Sequence, residues 1–305
     1  MDTPPAPSGE LLARVATVND LHFGETVCGV LEGVELGPTL RSDPGEEPYP
    51  RVMNRAAVGE ISALAPDAVV AKGDLTSSGA AVEYEEFESV YRTAFSARLI
   101  VTLGNHDKPG TGGGVPEVPP VQAVELPGVT LAVLDTARPG MPGGQVDVEQ
   151  AEWLDELAGR ADRPVLVFGH HPVGGEDMAQ LFGPEAAHAT SIDPAGTERL
   201  VSVVRRRATI AGYFAGHTHR NKVRNLPQTG GFPWVEVACV KDFPGSWAEY
   251  RIHDDGIVQV HHRIGSDLAA RRWSERCRAM FGGHYPAYAL GEESDRCFAI
   301  PLRRA

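Results

Sequence analysis

The chain has 305 residues, of which 42% are hydrophobic and 23% are charged, a composition that is ordinary for a soluble globular protein. The formal charge of −13 argues against binding to a nucleic-acid duplex, because such binding needs a basic surface. The charge does not exclude a small anionic ligand, since bound metal ions can dominate the charge of a site.

Targeting signals and cysteines give two further expectations. No window approaches about 18 consecutive apolar residues, so we predict no membrane span. The segment MDTPPAPSGE has neither the basic nor the apolar region of a signal peptide, and we expect a cytoplasmic location. The cysteines form no C-x-x-C pair, which predicts small free or buried thiols rather than a zinc knuckle or redox motif. They are Cys28, Cys239, Cys277 and Cys297.

Apolar runs rich in β-branched residues recur along the chain. Their hydrophobicity is continuous rather than alternating, which is typical of strands buried on both faces of a sheet. The runs are LARVATV (12–18), DAVVA (67–71), RLIVTL (98–103), TLAVLD (130–135), PVLVF (164–168) and ATIAGYF (208–214).

Helices are predicted between these runs, at 82–95, 147–160 and 194–207. The first two carry apolar residues at three- and four-residue spacing, and the third has a proline near its start. The stretch WAEYRIHDDGIVQVHHR (247–263) alternates instead and predicts a hairpin that turns at Asp255-Gly256. Strands alternating with helices, and then strands in succession, predict a four-layer α/β/β/α sandwich of two mixed sheets flanked by helices.

The composition changes at two places along the chain. Residues 24–51 are rich in glycine, proline and acidic residues, and we interpret them as an insertion near the active site. Residues 263–305 form a C-terminal extension after one domain at 1–262, and we expect this extension to pack on the core or on a neighbouring subunit. A homodimer is therefore the candidate assembly.

Metal-capable residues follow five of the apolar runs, usually after a glycine. In open α/β sheets ligands bind at the carboxyl ends of strands, so we expect these five tips to meet in one cleft. A single such block is more often a turn or a satisfied histidine, whereas five in order favour a metal site. The blocks are NDLH with Asp20 and His22, KGD with Asp74, GNHD with Asn105, His106 and Asp107, GHHP with His170 and His171, and AGHTH with His217 and His219.

The mixture of residue types suits a pair of metal ions. The two oxygens of Asp74 can bridge two cations, while neutral imidazoles hold each ion without cancelling its charge. Asn105 adds a carbonyl oxygen without adding charge. This set of nitrogen and oxygen donors contains no thiolate, and it suits Mn, Fe or Zn.

In this order, DLH, GD, GNHD, GHH and GHTH resemble the five signature blocks of the calcineurin-like metallophosphoesterases. The likeness spans roughly residues 12–260. Within that family the spacing is most similar to the bacterial class III cyclic-nucleotide phosphodiesterases and to glycerophosphodiesterase-like enzymes. The resemblance implies two divalent or mixed-valence ions, and in-line attack on a small phosphodiester by a hydroxide that bridges them. Candidate substrates include 3′,5′-cyclic nucleotides.

The resemblance also implies a role for each residue of the blocks. Asp20, His22, Asp74 and His219 would hold the first ion, and Asp74, Asn105, His170 and His217 the second. Asn105 and His106 would contact the phosphate. His106 would also protonate the leaving oxygen, and Asp107 would orient His106.

Two functions other than a phosphodiesterase remain open from the sequence. The same blocks serve a phosphomonoesterase or nucleotidase, and a non-catalytic scaffold is the third class of function.

His171 is expected to support the site or the packing, because the ligand set is complete without it. His188 could border the cleft, and His284 and Tyr285 could fold back over it.

Overall fold

A computed structural model describes residue 7 and residues 9–31 and 34–302 of the chain. These residues form fourteen strands. The strands are β1 Leu11–Val18, β2 Cys28–Leu31, β3 Val34–Leu40, β4 Ala68–Lys72, β5 Leu99–Thr102, β6 Val121–Leu126, β7 Val129–Leu134, β8 Val165–Phe168, β9 Ile210–Ala215, β10 Lys222–Asn225, β11 Pro233–Glu236, β12 Ser246–His253, β13 Ile257–Arg263 and β14 Phe298–Ile300.

Helices connect and cover these strands. In the described ranges they are α1 Tyr49–Ala63, α2 Ala81–Phe87, α3 Thr93–Phe95, α4 Val148–Arg160, α5 Glu176–Phe182, α6 Pro184–Ala189, α7 Pro194–Arg206, α8 Leu268–Cys277 and α9 Tyr285–Leu290, with a π-helical stretch, Glu88–Arg92, between α2 and α3. None of these helices combines the length and apolar character needed to cross a bilayer.

Two six-stranded sheets carry the fold. The first has the order β14-β13-β12-β1-β4-β5, and the second has the order β10-β11-β9-β8-β7-β6. Strands β1, β4 and β5 run parallel in the first sheet, as β7, β8, β9 and β11 do in the second. Antiparallel strands complete both sheets. Because the parallel strands share a direction, the loops after them open on one edge of each sheet.

Large apolar side chains fill the space between the two sheets. Phe168 and Phe214 of the second sheet contact Tyr250 of the first, with ring centroids 5.6 Å and 4.7 Å from it. All three rings are fully buried, and each contributes about 1.5–3 kcal/mol of burial free energy. This core fixes the strand ends of both sheets relative to one another.

The outer faces of the sheets are covered by helices. Met53 of α1 and Trp273 of α8 belong to the apolar cluster on the first sheet, and Leu154 of α4 and Leu200 of α7 belong to the cluster on the second. The predicted four-layer sandwich of two mixed sheets is therefore confirmed.

The structure also agrees with most of the predicted elements. All six apolar runs form strands, and the three predicted helices appear at 81–95, 148–160 and 194–206. The hairpin of β12 and β13 turns at residues 254–256. Helix α4 begins where Asp147 accepts a hydrogen bond from the backbone N–H of Gln150 at 2.8 Å, as expected for a capped helix. The described cysteines are free thiols.

Two regions contain elements that we did not predict. The range 24–51 holds the hairpin of β2 and β3, and helix α1 begins inside it at Tyr49. The segment after Arg263 holds α8, α9 and β14. It packs on its own chain: Trp273 of α8 stacks on Tyr49 at 4.1 Å, and β14 pairs with β13.

Glu249 on β12 joins three neighbouring strands through ion pairs. Its carboxylate is 1% exposed; it accepts hydrogen bonds from Arg251 at 3.0 Å and contacts His262 at 2.8 Å and Arg14 at 3.4 Å. Burial opposes the ionisation of Glu249, but His262 and Arg251 outweigh it and lower its pKa from 4.5 to about 2.

We expect Glu249→Gln to lower the free energy of unfolding by about 3 kcal/mol at pH 7. A carboxylate with a lowered pKa in the folded state stabilises the protein above its unfolded pKa of 4.5, and it loses this effect as the pH falls towards about 2. Urea unfolding followed by circular dichroism at pH 7, 5 and 3.5 tests this. A difference from the wild type that does not shrink between pH 5 and pH 3.5 would contradict the assignment.

Candidate metal centre

The structure brings the ends of five parallel strands to one place. Asp20 and His22 follow β1, Asp74 follows β4, and Asn105 follows β5 in the first sheet. The second sheet supplies the loops after β8 and β9, which carry His170, His217 and His219. The seven predicted metal ligands thus lie along the edge where the two sheets meet.

The backbone is strained at most of these ligands. Of eight non-glycine residues with positive φ in the described ranges, five are predicted ligands, with φ between +48° and +70°. Left-handed backbone costs roughly 1–2 kcal/mol per residue and persists where the surroundings enforce it. The five residues are Asp20, His22, Asp74, His217 and His219.

The first group of ligand atoms comes from β1 and β9. Atoms of Asp20, His22 and His219 all lie within 4.8 Å of one another. Nε2 of His219 is 3.5 Å from Asp20 Oδ1, and Nε2 of His22 is 3.5 Å from Asp74 Oδ2. The other oxygen of Asp20 accepts hydrogen bonds from the backbone of His217 and the side chain of Asn19.

The second group adjoins the first through Asp74. Nε2 of His170 is 3.3 Å from Asp74 Oδ2 and 3.3 Å from the side-chain oxygen of Asn105. The ring of His217 lies 5.0 Å from that of His170. Oδ2 of Asp74 therefore faces a histidine from each group, while its Oδ1 accepts the backbone N–H of His106 at 3.0 Å. This is the arrangement that a bridging carboxylate needs.

Backbone carbonyls orient the two histidines of the second group. Nδ1 of His170 lies 2.8 Å from the carbonyl oxygen of Lys72, and Nε2 of His217 lies 3.0 Å from that of Ala189. A carbonyl can only accept, so in its neutral form each ring has its proton on that nitrogen and a lone pair on the other. These contacts could not be predicted from the sequence, because any residue can supply a backbone carbonyl.

Burial and neighbouring charges shift the pKa values of the site. Burial, together with the charge of Lys241, lowers the pKa of His22 to about 4, and burial and the charge of His170 lower that of His217 to about 4. Both rings are then neutral near pH 7, as a metal ligand must be. Burial opposes ionisation of Asp20, but the charges of His219 and His170 outweigh it and lower its pKa.

The residues present fit two metal ions. Both ring nitrogens of His22 are buried without a hydrogen-bond partner among the described residues, although carboxylate oxygens lie nearby. The donors are nitrogen and oxygen atoms with one shared carboxylate, which suits Mn, Fe or Zn. Burial of His170 opposes its charge, but Asp74 outweighs burial and raises its pKa to about 9. A metal ion bound beside Asp74 would replace the positive charge that His170 otherwise presents to this carboxylate.

His106 lies at the accessible side of the ligand groups. Its side chain is exposed, its ring is 4.6 Å from that of His22, and one of its nitrogens is within 4.8 Å of ligand atoms of His22 and Asp74. Nδ1 contacts the carbonyl oxygen of Ser77 at 2.8 Å, which leaves Nε2 for a substrate. The ring of His106 could therefore reach a phosphate that binds between the two ligand groups.

The carboxylate of Asp107, which we predicted to orient His106, contacts residues of two loops. Its carboxylate accepts hydrogen bonds from the backbone of Leu75, Thr76 and Gly104 and from the hydroxyl of Thr76, at 2.7–3.2 Å. Ser77, and not Asp107, is the partner of the His106 ring among the described residues. Asp107 therefore connects the loop after β4 to the loop after β5. The loop after β5 also carries His106, and Asp107 can affect His106 through it.

Two further histidines lie near the ligand groups. His171 lies among the ligands, but Nδ1 contacts the Thr136 hydroxyl at 2.9 Å and Nε2 the carbonyl oxygen of Pro142 at 3.1 Å. Both ring nitrogens are engaged, so His171 supports the site without a lone pair to offer. His188 is exposed on α6, one residue before the Ala189 carbonyl that orients His217.

Fold and site together define the class of protein. Two donor groups that share a carboxylate, at the strand ends of an α/β/β/α sandwich, are typical of a hydrolase built around a pair of metal ions. The chain belongs to the calcineurin-like phosphoesterase family, whose sequence profile matches residues 13–221. It is therefore a metal-dependent phosphoric ester hydrolase.

Comparison with known proteins supports the assignment to this family. The chain is 24% identical over 262 residues to a probable cyclic nucleotide phosphodiesterase of Synechococcus sp., and the match covers 81% of this chain and 91% of the relative. It is 27% identical over 184 residues to a glycerophosphodiester phosphodiesterase of Enterobacter lignolyticus, covering 54% of this chain and 61% of that relative. The crystal structure of a dimetal phosphatase from Danio rerio has a similar fold, with a TM-score of 0.63 at 15% identity, covering 85% of this chain and 98% of that one.

Proposed function

We propose that the protein is a dinuclear metallophosphodiesterase that hydrolyses small phosphodiesters, with 3′,5′-cyclic nucleotides as the leading candidates. The observation that carries the proposal is the position of Asp74 Oδ2, which lies between His22 and His170, one histidine from each donor group. The diester preference rests on the names of the cyanobacterial and enterobacterial relatives. We further propose Mn, Fe or Zn as the ions and the cytoplasm as the location.

The ligand groups would hold the two ions in distinct surroundings. Asp20, His22 and His219, with Asp74, would hold the first ion, and Asn105, His170 and His217, again with Asp74, the second. Bound there, the ions would supply the Lewis acidity that activates water and offsets charge on the phosphoryl oxygens.

The chain's own residues then orient the ester and move a proton. Asn105 is partly exposed beside His170, and its amide N–H would donate to a phosphate oxygen. Nδ1 of His106 donates to the Ser77 carbonyl, so the proton on Nε2 of the imidazolium form is the one that is free for the substrate. As water adds to phosphorus it would lose a proton to solvent; the P–O bond to the leaving group breaks, the proton on Nε2 passes to the departing oxygen, and solvent then reprotonates His106.

A substrate panel on protein reconstituted with Mn²⁺ tests the proposal. We expect bis-p-nitrophenyl phosphate to be hydrolysed with a higher kcat/KM than p-nitrophenyl phosphate, and cyclic diesters with a higher kcat/KM than nucleoside monophosphates. A monoester preference would replace the proposal with a phosphomonoesterase or nucleotidase. Absence of hydrolysis with Mn²⁺ bound would replace it with a binding scaffold.

Adjacent histidines provide a matched pair of variants for this assay. We expect His170→Asn to lose the second ion and at least about 10²-fold in kcat, because it removes a ligand that also faces Asp74. His171→Asn changes an equally buried neighbour, and we expect it to keep two ions per chain by atomic emission. Equal metal loss in both variants would mean that the arrangement of these side chains, and not ligation by His170, governs metal content.

A further inference from the structure

Three buried charged residues lie behind the first ligand group. Nζ of Lys241 donates to both carboxylate oxygens of Glu25 at 2.6 Å and lies 3.9 Å from Asp242 Oδ2. Lys241 is 6% exposed and Asp242 is 2% exposed, and Glu25 has 14% of its side chain exposed. One ammonium group is therefore shared between two carboxylates that have little contact with bulk water.

Each of these carboxylates faces a predicted ligand from behind. Oε2 of Glu25 is 3.2 Å from Nδ1 of His22, and Oδ2 of Asp242 is 3.6 Å from Nδ1 of His219. The Nε2 atoms of the same two rings are the ones that face Asp74 and Asp20. The histidines of the second group differ, since neutral backbone carbonyls lie behind them.

Residues outside the five sequence blocks hold the carboxylates in place. The hydroxyl of Tyr49, at the start of α1, donates to Glu25. The hydroxyl of Tyr285, in α9, donates to Asp242 Oδ1 at 2.7 Å, and the thiol of Cys239 approaches the same oxygen at 2.9 Å. Helices from both ends of the chain thus reach the rear of the first ligand group.

We propose that Glu25 and Asp242 are positioning residues for His22 and His219, and that Lys241, which contacts both carboxylates, holds them in place behind these rings. A carboxylate next to Nδ1 favours a proton there, which directs the lone pair of Nε2 towards the ion and makes it more basic. Without Lys241 the two carboxylates would repel each other, and nothing would offset the cost of removing them from water. The inference rests on the proposed function, because it assumes that His22 and His219 bind an ion.

Charge-neutral variants of the same shape test the inference. In Glu25→Gln and Asp242→Asn we expect the Kd for one of the two Co²⁺ ions to rise about 10–100-fold and the Kd for the other to stay unchanged. Calorimetric titration with Co²⁺ measures the two affinities, and the visible absorption of bound Co²⁺ reports the geometry of its ligands. We expect that absorption to change for the weakened ion.

Glu249→Gln is the matched control for these two variants. Glu249 is also a buried, ion-paired carboxylate, but its partners are Arg14, Arg251 and His262. We expect it to lower stability without changing either Co²⁺ affinity. If Glu25→Gln and Asp242→Asn fold and bind both ions with wild-type affinity, the inference is overturned while the proposed function stands. A wild type that neither binds Co²⁺ nor hydrolyses a diester would instead overturn the proposed function.

A milder variant keeps the test decisive if those proteins do not fold. Tyr285→Phe removes one hydrogen bond to Asp242 and no charge. We expect the Kd for the same ion to rise by about three- to tenfold, since one such bond is worth about 1 kcal/mol. A wild-type affinity in folded Tyr285→Phe would remove Asp242 from the inference.

Discussion

His106→Ala is expected to lower kcat for diesters with poor leaving groups by a factor on the order of 10²–10⁴, with both ions still bound. The ring of His106 lies beside the donor groups but is not needed to complete either one, so metal content stays at the wild-type level. The loss is greatest for alkoxide leaving groups, because these leave poorly without a proton. p-Nitrophenolate leaves readily as the anion, so its diester is affected less.

A series of aryl and alkyl phosphodiesters with leaving groups of increasing pKa measures this effect. The slope of log kcat against leaving-group pKa becomes steeper in His106→Ala if the side chain donates a proton. His253→Ala is a suitable control, because its ring contacts the carbonyl oxygen of Gly9 at the far end of β12. Unchanged turnover of the alkyl diesters by folded His106→Ala protein would exclude the role of proton donor.

Asp74→Asn is expected to have the largest effect of any single ligand substitution. Oδ2 of Asp74 faces both donor groups, so the change removes a negative charge that each ion would share. We expect at most one tightly bound ion per chain and a fall in kcat of more than about 10³-fold, since a bound ion supplies several kcal/mol of transition-state stabilisation.

Atomic emission after gel filtration, together with kcat on bis-p-nitrophenyl phosphate, tests this expectation. Asparagine keeps the size of the side chain and tolerates the backbone conformation, so a folding defect is not expected to account for the loss. Glu249→Gln again serves as the control for removing a buried carboxylate. Two tightly bound ions with near wild-type kcat in Asp74→Asn would show that the carboxylate does not bridge.

The proximity of the seven predicted ligands could be expected from the sequence, because the direction of the strands brings their ends together. Each predicted ligand directly follows a buried parallel strand, and parallel strands deliver their carboxyl ends to one edge of a sheet. Asp20 and Asp74 follow two parallel strands of one sheet, which is enough to expect them to be neighbours, whereas the approach of His217 also depends on how the two sheets pack. The order of the residues along the chain carries this information, so no distance had to be known.

The surroundings of the ligands could not be predicted in the same way. The carbonyls of Lys72, Ser77 and Ala189 act through the backbone, and any residue could supply them. Glu25 and Lys241 are 216 positions apart, and neither belongs to a recurring spacing. Helix α1 was missed because its start lies in a segment rich in proline and acidic residues, although its buried positions have helical spacing.

The left-handed backbone at five of the predicted ligands decides which substitutions are informative there. Asparagine, aspartate and histidine adopt this conformation more readily than other residues with a Cβ atom, and glycine adopts it freely. An asparagine or glycine at Asp20 or His219 would remove the predicted ligand and keep the backbone turn. A valine or isoleucine at either position would force the peptide out of its turn, so an inactive variant of that kind would say nothing about the chemistry.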